Sequence, residues 1–283
     1  MTRLSSDLPE PTVSCCVIAR GRLDHLRRVL VGLDRQTRPL DDVVVVSIGD
    51  PEVVAVAESS PIVTTVTSIE HVPGDPLPLA GARNRGADRA TGDLLVFLDV
   101  DCIPASRLVA DYVTQRQSGL LMGSVRYLPP SVPGSIQDWT EDELRRHGRP
   151  HPARPLPDRA VQTDRYELFW SLNFATDRAT WLSLGGFDQG YRGYGGEDTD
   201  LAFEARRRSI PAWFVAGAES FHQHHVVDDP PIDHLRDIVS NARRFRRKWN
   251  CWPMTGWLEA FNDQGLVRWD EESLEIVEGV VSR

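Results

Sequence analysis

Leu94-Leu95-Val96-Phe97-Leu98-Asp99-Val100-Asp101 is the stretch that decides the fold. Five consecutive apolar residues read as a strand buried on both faces, as strands inside a parallel sheet are. Two carboxylates follow, and Cys102-Ile103-Pro104 closes the turn, so rigid backbone aims them outward. A hard divalent cation, Mn²⁺ or Mg²⁺, together with phosphate oxygens suits such a pair. Paired aspartates are also common in turns and as helix caps, so the motif takes its weight from this setting.

Outward from that strand, the N-terminal half alternates in period. Val13 to Ala19 reads as a buried strand, and Asp24 to Gln36 as an amphipathic helix with Leu26, Val29, Leu30 and Leu33 on one face. A strand over Val43 to Ile48, a helix over Glu52 to Glu58, a β-branched run from Ile62 to Thr67 and a small-residue helix over Leu79 to Ala90 follow. This order predicts an α/β fold with a doubly wound, mostly parallel, Rossmann-like sheet and helices on both faces. Ligands of such sheets sit beyond the carboxyl ends of the strands, here at Arg20, at Gly49-Asp50 and at Asp99-Val100-Asp101.

The bulk composition narrows the classes. With 283 residues, 41% hydrophobic and 26% charged, the chain reads as a soluble globular protein, and its net charge of -9 argues against nucleic acid as a partner. Cys15, Cys16, Cys102 and Cys251 show no disulfide framework, which points to a reducing cytoplasm. The apolar stretch Val13 to Ala19 is far short of the roughly 20 residues that span a bilayer, so neither a secretory signal nor a transmembrane helix is expected.

Seven prolines crowd the stretch from Leu128 to Thr163, around a charged segment, Ser135 to His147, with helical character. A loop of this length is a lid or a connector. A strand over Tyr166 to Phe174 and a helix from Glu197 to Arg208 are expected after it. From Asp233 to Trp249 the apolar residues fall at helical spacing and leave Arg243, Arg244, Arg246, Arg247 and Lys248 on the other face. That face is either solvated or a peripheral contact for the anionic inner surface of a membrane.

Two further groups carry chemistry. In Gly195-Gly196-Glu197-Asp198-Thr199-Asp200 the acids offset a helix dipole, or one of them accepts the proton of an attacking hydroxyl. His222, His224 and His225 read as surface residues, as a zinc site, or as the source of one histidine completing the aspartate site. Arg20 and Arg83 lie beside the ligand rim, where they are placed for phosphate or base.

Five segments in order carry a resemblance: Arg20-Gly21-Arg22 with His25-Leu26; Ala82-Arg83-Asn84-Arg85-Gly86; Phe97 to Pro104; Gly185-Gly186-Phe187-Asp188; and Gly195 to Leu201. The chain resembles a GT-A glycosyltransferase of family 2. Its C-terminal half is similar to the β-1,4-galactosyltransferases, chondroitin polymerases and polypeptide N-acetylgalactosaminyltransferases. The resemblance implies a single GT-A domain over 1–283, with a nucleotide-sugar half (12–127), a Pro-rich flexible loop (128–165) and an acceptor-side catalytic lobe (166–260).

By the same resemblance the donor is a nucleotide sugar, UDP-linked before GDP- or dTDP-linked, and the acceptor a carbohydrate or small molecule. Ala19, Arg20, Arg22, Asp50, Arg83, Asn84, Asp99 and Val100 would border the donor. Asp101 with His222 and Asp99 would hold Mn²⁺ or Mg²⁺. Glu197, Gly195 and Gly196 would meet the acceptor, and Asp198 would be the base of an inverting transfer. Relatives often carry Trp-Gly where this chain has Tyr194-Gly195, which leaves acceptor identity open. A retaining enzyme of the same fold and a nucleotide-sugar-binding module without turnover are the alternatives. Oligomeric state is not legible.

Overall fold

Strand burial alternates between two cores, and that alternation is what winds the sheet. The computed structural model describes residues 10–132, 139–226 and 228–277. Strand β1 (Val13–Ala19) is buried along its whole length; Cys16 and Ile18 face one core, Val13, Cys15, Val17 and Ala19 the other. Helix α1 (Leu23–Asp34), β2 (Asp42–Ile48), α2 (Pro51–Glu58), β3 (Thr65–Ile69), α3 (Leu79–Arg89) and β4 (Leu94–Asp99) follow. Leu95 and Phe97 of β4 join the first core, Leu94, Val96 and Leu98 the second. Because successive side chains point to opposite faces, a strand filling both cores must be apolar throughout.

The remaining elements are β5 (Cys102–Pro104), α4 (Leu108–Thr114), β6 (Leu120–Met122), β7 (Val125–Tyr127), α5 (Glu141–His147), β8 (Arg149–Pro150), β9 (Val161–Thr163), β10 (Asn173–Asp177), α6 (Arg178–Leu184), α7 (Glu197–Arg207), β11 (Ala212–Phe214), β12 (Ser220–His222), α8 (Leu235–Trp249), α9 (Thr255–Asp263), β13 (Val267–Trp269) and β14 (Leu274–Ile276). The main sheet runs β3-β2-β1-β4-β10-β6-β11-β9. It is parallel from β3 to β4 and between β6 and β11, whereas β10 is antiparallel to both its neighbours. Helices α1, α2 and α4 cover one face, and α3, α6 and α7 the other. The expected mostly parallel α/β architecture is therefore present, with its reversal at β10.

A smaller sheet, β5-β12-β7-β8, stands at the carboxyl end of β4. The C-terminal elements α8, α9 and the β13-β14 pair enclose a third core around Leu235, Ile238, Leu258 and Phe261. None of the described helices is long and apolar enough to cross a membrane.

Three local expectations need correction. The strand expected over Tyr166 to Phe174 starts only at Asn173; Tyr166–Leu168 forms a 3-10 turn that drops its aromatic and aliphatic side chains into the core, with Tyr166 Oη donating to Ile210 O at 2.8 Å. The β-branched run from Ile62 to Thr67 is shifted, because pairing with β2 begins at Val44 opposite Thr65, while Ile62 and Val63 pack from the preceding connection. In the Pro-rich segment the helix spans Glu141–His147 and begins with a capping box between Thr140 and Glu143. The expected start at Ser135 lies outside the described residues.

Candidate active site

The turn after β4 sends Asp99 and Asp101 to different partners. The Asp101 carbonyl accepts from Gln223 N–H at 2.7 Å, and β12 runs antiparallel to β5 with His222 opposite Cys102. That register brings His222 Nε2 to 3.6 Å from Asp101 Oδ1, and the chain beyond β12 returns so that His225 Nε2 lies 3.4 Å from Oδ2. Asp101, His222 and His225 thus offer one oxygen and two ring nitrogens within 4.8 Å of one another. Arg22 also donates to Asp101 Oδ2.

Burial pushes the Asp101 carboxyl up, but His225, His222 and Arg22 outweigh it and hold the group well below the usual carboxylate range. Burial lowers His222, which favours the neutral ring that metal ligation requires. The neighbouring Cys102 keeps its proton because burial raises its pKa strongly. One ionised carboxylate and two imidazoles without a thiolate fit a divalent ion of intermediate hardness.

Asp99 belongs to a different arrangement. Its Oδ1 accepts from Arg83 Nη2 at 2.9 Å, and Arg83 Nη1 donates to Glu197 Oε1 at 2.9 Å. The buried guanidinium therefore ties the end of β4 to the start of α7. Burial raises the Asp99 carboxyl while Arg83 opposes the rise. Expected beside the metal, Asp99 stands outside the group formed by Asp101 and the two histidines.

Helix α7 is reached through Gly195 and Gly196, with φ of +86° and +94°. Side chains rarely adopt that region, and a Cβ on Gly195 would stand 2.7 Å from Met254 Sδ. Glu197 follows, buried, with Oε2 lacking a hydrogen-bond partner among the described residues. Asp198 is half-buried and accepts from Thr199 N–H at 2.6 Å. Burial first, then repulsion from Glu197, lifts its carboxyl to about 7, close to where a general base works best at neutral pH. Asp200 turns inward to Lys248 Nζ at 2.8 Å and Trp249 Nε1 at 2.7 Å.

The C-terminal elements brace this loop. Asn241 Nδ2 of α8 donates to the carbonyls of Arg192, Tyr194 and Gly195 at 2.9, 3.3 and 2.8 Å. Tyr194 stacks on His234 with ring centroids 4.6 Å apart and leans towards Trp257. Most of the basic face of α8 is engaged by its own chain: Arg244 pairs with Asp188, Lys248 with Asp200, and Arg243 and Arg246 donate to the carbonyls of Leu274 and Glu271.

Of the residues expected to border the donor, Ala19, Arg20, Arg22, Asp50, Asp99 and Val100 lie at the carboxyl ends of β1, β2 and β4 and Arg83 and Asn84 on α3, and several are tied to neighbouring groups. Arg20 donates to Ile48 O at 2.7 Å; Asp50 caps α2 through Glu52 N–H and accepts from Gly21 N–H at 2.7 Å. Asn84 clasps Phe187 through both its carbonyl and its N–H. Ala19 and Val100 are buried among apolar neighbours, so their backbone is what they can offer. Sequence reasoning chose His222 among the three histidines and missed His225. These residues follow a short strand irregularly, and no periodicity distinguishes one ring from the next.

Residues 14–127 match the model of glycosyl transferase family 2, and residues 159–210 match a model described as the N-terminal domain of galactosyltransferase. The N-terminal part of the chain thus resembles the family 2 glycosyltransferases. A validoxylamine A glucosyltransferase of Streptomyces hygroscopicus subsp. jinggangensis (strain 5008) is 27% identical to this chain over 259 residues, covering 84% of it and 61% of the relative. The chain thus spans about six-tenths of that protein's length. Among solved structures, GalNAc-T7 with UDP, GalNAc and Mn²⁺ superposes with a TM-score of 0.55 at 16% identity, covering 92% of this chain and 58% of that one. The mannosyltransferase PcManGT of Pyrobaculum calidifontis, in complex with GDP-Man and Mn²⁺, gives 0.54 at 20% identity, covering 84% of this chain and 65% of that one. The chain shares the GT-A fold with these enzymes.

Proposed function

We propose that this protein moves a sugar from a nucleoside diphosphate donor to an acceptor hydroxyl with inversion, Asp198 serving as general base. The observation that carries the reading is the meeting, at one end of the sheet, of a metal-capable Asp101–His222–His225 group and an Asp198 carboxyl held near neutrality, joined by the Arg83 bridge from Asp99 to Glu197. Asp101, His222 and His225 would hold a divalent cation, and Mn²⁺, present in both solved relatives, suits a mixed oxygen and nitrogen set better than Mg²⁺. When bound, the cation supplies positive charge to the diphosphate.

The chain's own residues do the rest. Asp198 takes the proton of the acceptor hydroxyl as its oxygen attacks the anomeric carbon, and Glu197, with a free Oε2, orients that hydroxyl. A single displacement inverts the anomeric centre. The named relatives support a UDP- or GDP-linked hexose and a polyhydroxylated acceptor, with the UDP-sugar as the leading donor. A thermal-shift series over UDP-, GDP- and dTDP-sugars with and without Mn²⁺ tests donor binding, since a ligand at 100 times its Kd stabilises by about 2.7 kcal/mol. Transfer with inverted product configuration by NMR tests the reaction. Absence of any metal-dependent shift would sink the proposal.

The Pro-rich segment from Leu128 to Thr163 is proposed as a lid over the donor. Trypsin is expected to cleave after the exposed Arg159, because Arg149 and Arg154 are each followed by proline and Arg145 and Arg146 are held in helix α5. UDP with Mn²⁺ should slow that cut several-fold. Equal cleavage in both states would count against a lid.

A further inference from the structure

Between residues 149 and 160, at the heart of the Pro-rich segment, Arg154 is the one buried side chain, 8% exposed. Its guanidinium lies over the faces of Trp170 and Phe214, 5.3 and 5.9 Å from the ring centroids. Nη2 donates to Gly123 O at 3.1 Å, whereas Nη1 is buried and has no hydrogen-bond partner among the described residues. No carboxylate among the described residues lies within ion-pair distance of it. Burial pulls its pKa down, and the groups that act on its charge are Tyr127, Tyr112, Cys102 and Asp198. Burial keeps the protons on the first three, so they supply no counter-charge, and Asp198 acts only from beyond ion-pair distance.

A buried, unpaired cation is a poor anchor for a loop. An aliphatic side chain would fill the space between Trp170 and Phe214 without the desolvation penalty. The position explains the choice. Tyr127 packs against His222 with centroids 4.9 Å apart, and His151 meets Trp170 edge-on at 4.6 Å. Trp170 leads into Ser171, whose N–H acts on the Asp198 carboxyl. Arg154 therefore stands behind the Tyr127 ring that packs on the metal-capable group, and Trp170 and Ser171 lead from it to the proposed base.

We propose that Arg154 is an anion-binding residue whose missing counter-charge is the diphosphate of the donor. This rests on the glycosyl-transfer reading above. As the acceptor oxygen forms its bond to the anomeric carbon, the bond from that carbon to the diphosphate oxygen breaks, and its electron pair stays on the leaving group. The acceptor proton goes to Asp198. The guanidinium takes up the charge that develops on the departing oxygen, and its planar fork suits phosphate.

The test compares the parent with Arg154→Met and Arg154→Lys in the full chain. Calorimetric titrations use UDP, GDP, inorganic pyrophosphate and uridine, each with Mn²⁺, and melting is measured without ligand. Arg154→Met is expected to melt no lower than the parent yet to bind pyrophosphate and the nucleoside diphosphates at least tenfold more weakly, with uridine unchanged. Arg154→Lys, which keeps the charge but loses the fork, should recover part of that affinity. It decides the matter if the methionine variant does not fold. Diphosphate affinity equal to the parent's, with or without a lower melting temperature, would make Arg154 a loop anchor and overturn the inference. A parent that binds none of the diphosphates would instead remove the glycosyl-transfer reading.

Discussion

Asp101→Ala is expected to abolish Mn²⁺-dependent binding of nucleoside diphosphate. Asp101 is the only carboxylate in the group it forms with His222 and His225, and its negative charge is secured by both rings and by Arg22. Without it a cation loses its charged ligand, and the diphosphate approaches Asp99 and Glu197 with only Arg83 between them. One uncompensated unit-charge interaction at about 4 Å in a medium of effective dielectric about 20 is worth about 4 kcal/mol, roughly a thousandfold in affinity. His222→Ala and His225→Ala each remove one ring nitrogen and leave the carboxylate in place, so each should weaken binding less. Isothermal titration of UDP at fixed Mn²⁺ measures all three. Unchanged affinity in the Asp101 variant would remove the metal assignment, and a loss confined to the histidine variants would move the site away from Asp101.

Asp198→Asn is expected to lower sugar transfer by about 10²–10⁴ while leaving folding and donor affinity intact, the range found when a general base is removed. The amide keeps the shape and can still accept from Thr199 N–H. In the parent, the carboxyl at about 7 must be ionised to act, so kcat/KM should rise tenfold per pH unit below about 7 and level off above it. The stability linkage has the opposite sign. A carboxyl raised from 3.8 to about 7 stabilises the fold at pH below its unfolded value, and that contribution is lost as pH rises through about 7. The asparagine variant should therefore melt no lower than the parent at pH 8 and lose this part of the pH dependence. Near-normal transfer by Asp198→Asn would take Asp198 out of the mechanism, leaving it as a residue that offsets the α7 dipole.

Much of this architecture is legible in the chain because burial on both faces leaves an unmistakable mark. Strands β1, β2 and β4 each fill two cores, so each is a largely apolar run with a polar stop, and those stops gather at the rim that carries Arg20, Asp50 and Asp99. Strand β10 is displaced from its expected bounds because its five residues, Asn173–Asp177, include Asn173 and Thr176, whose polar groups meet distant partners such as Tyr112 and Gly119, and Asp177, which caps α6 through Thr180. Strands β5, β7 and β12 are three residues each, too short for any period to show. Their pairing is nevertheless what carries His222 to Asp101. The Arg83 bridge is likewise invisible in sequence. It links residues 16 and 114 positions apart, and only the closed sheet brings them together.

The single amide of Asn241, reaching three successive stretches of the loop ahead of α7, has an evolutionary consequence. The glycine-rich turn takes its shape from a template located some fifty positions later in the chain, so the two cannot diverge independently. Descendants of this architecture that reshape the turn must change the turn and its template in concert. Recombination breakpoints between residues 196 and 241 would be selected against, whereas exchange of the whole C-terminal block together with the turn would pass as a single heritable module.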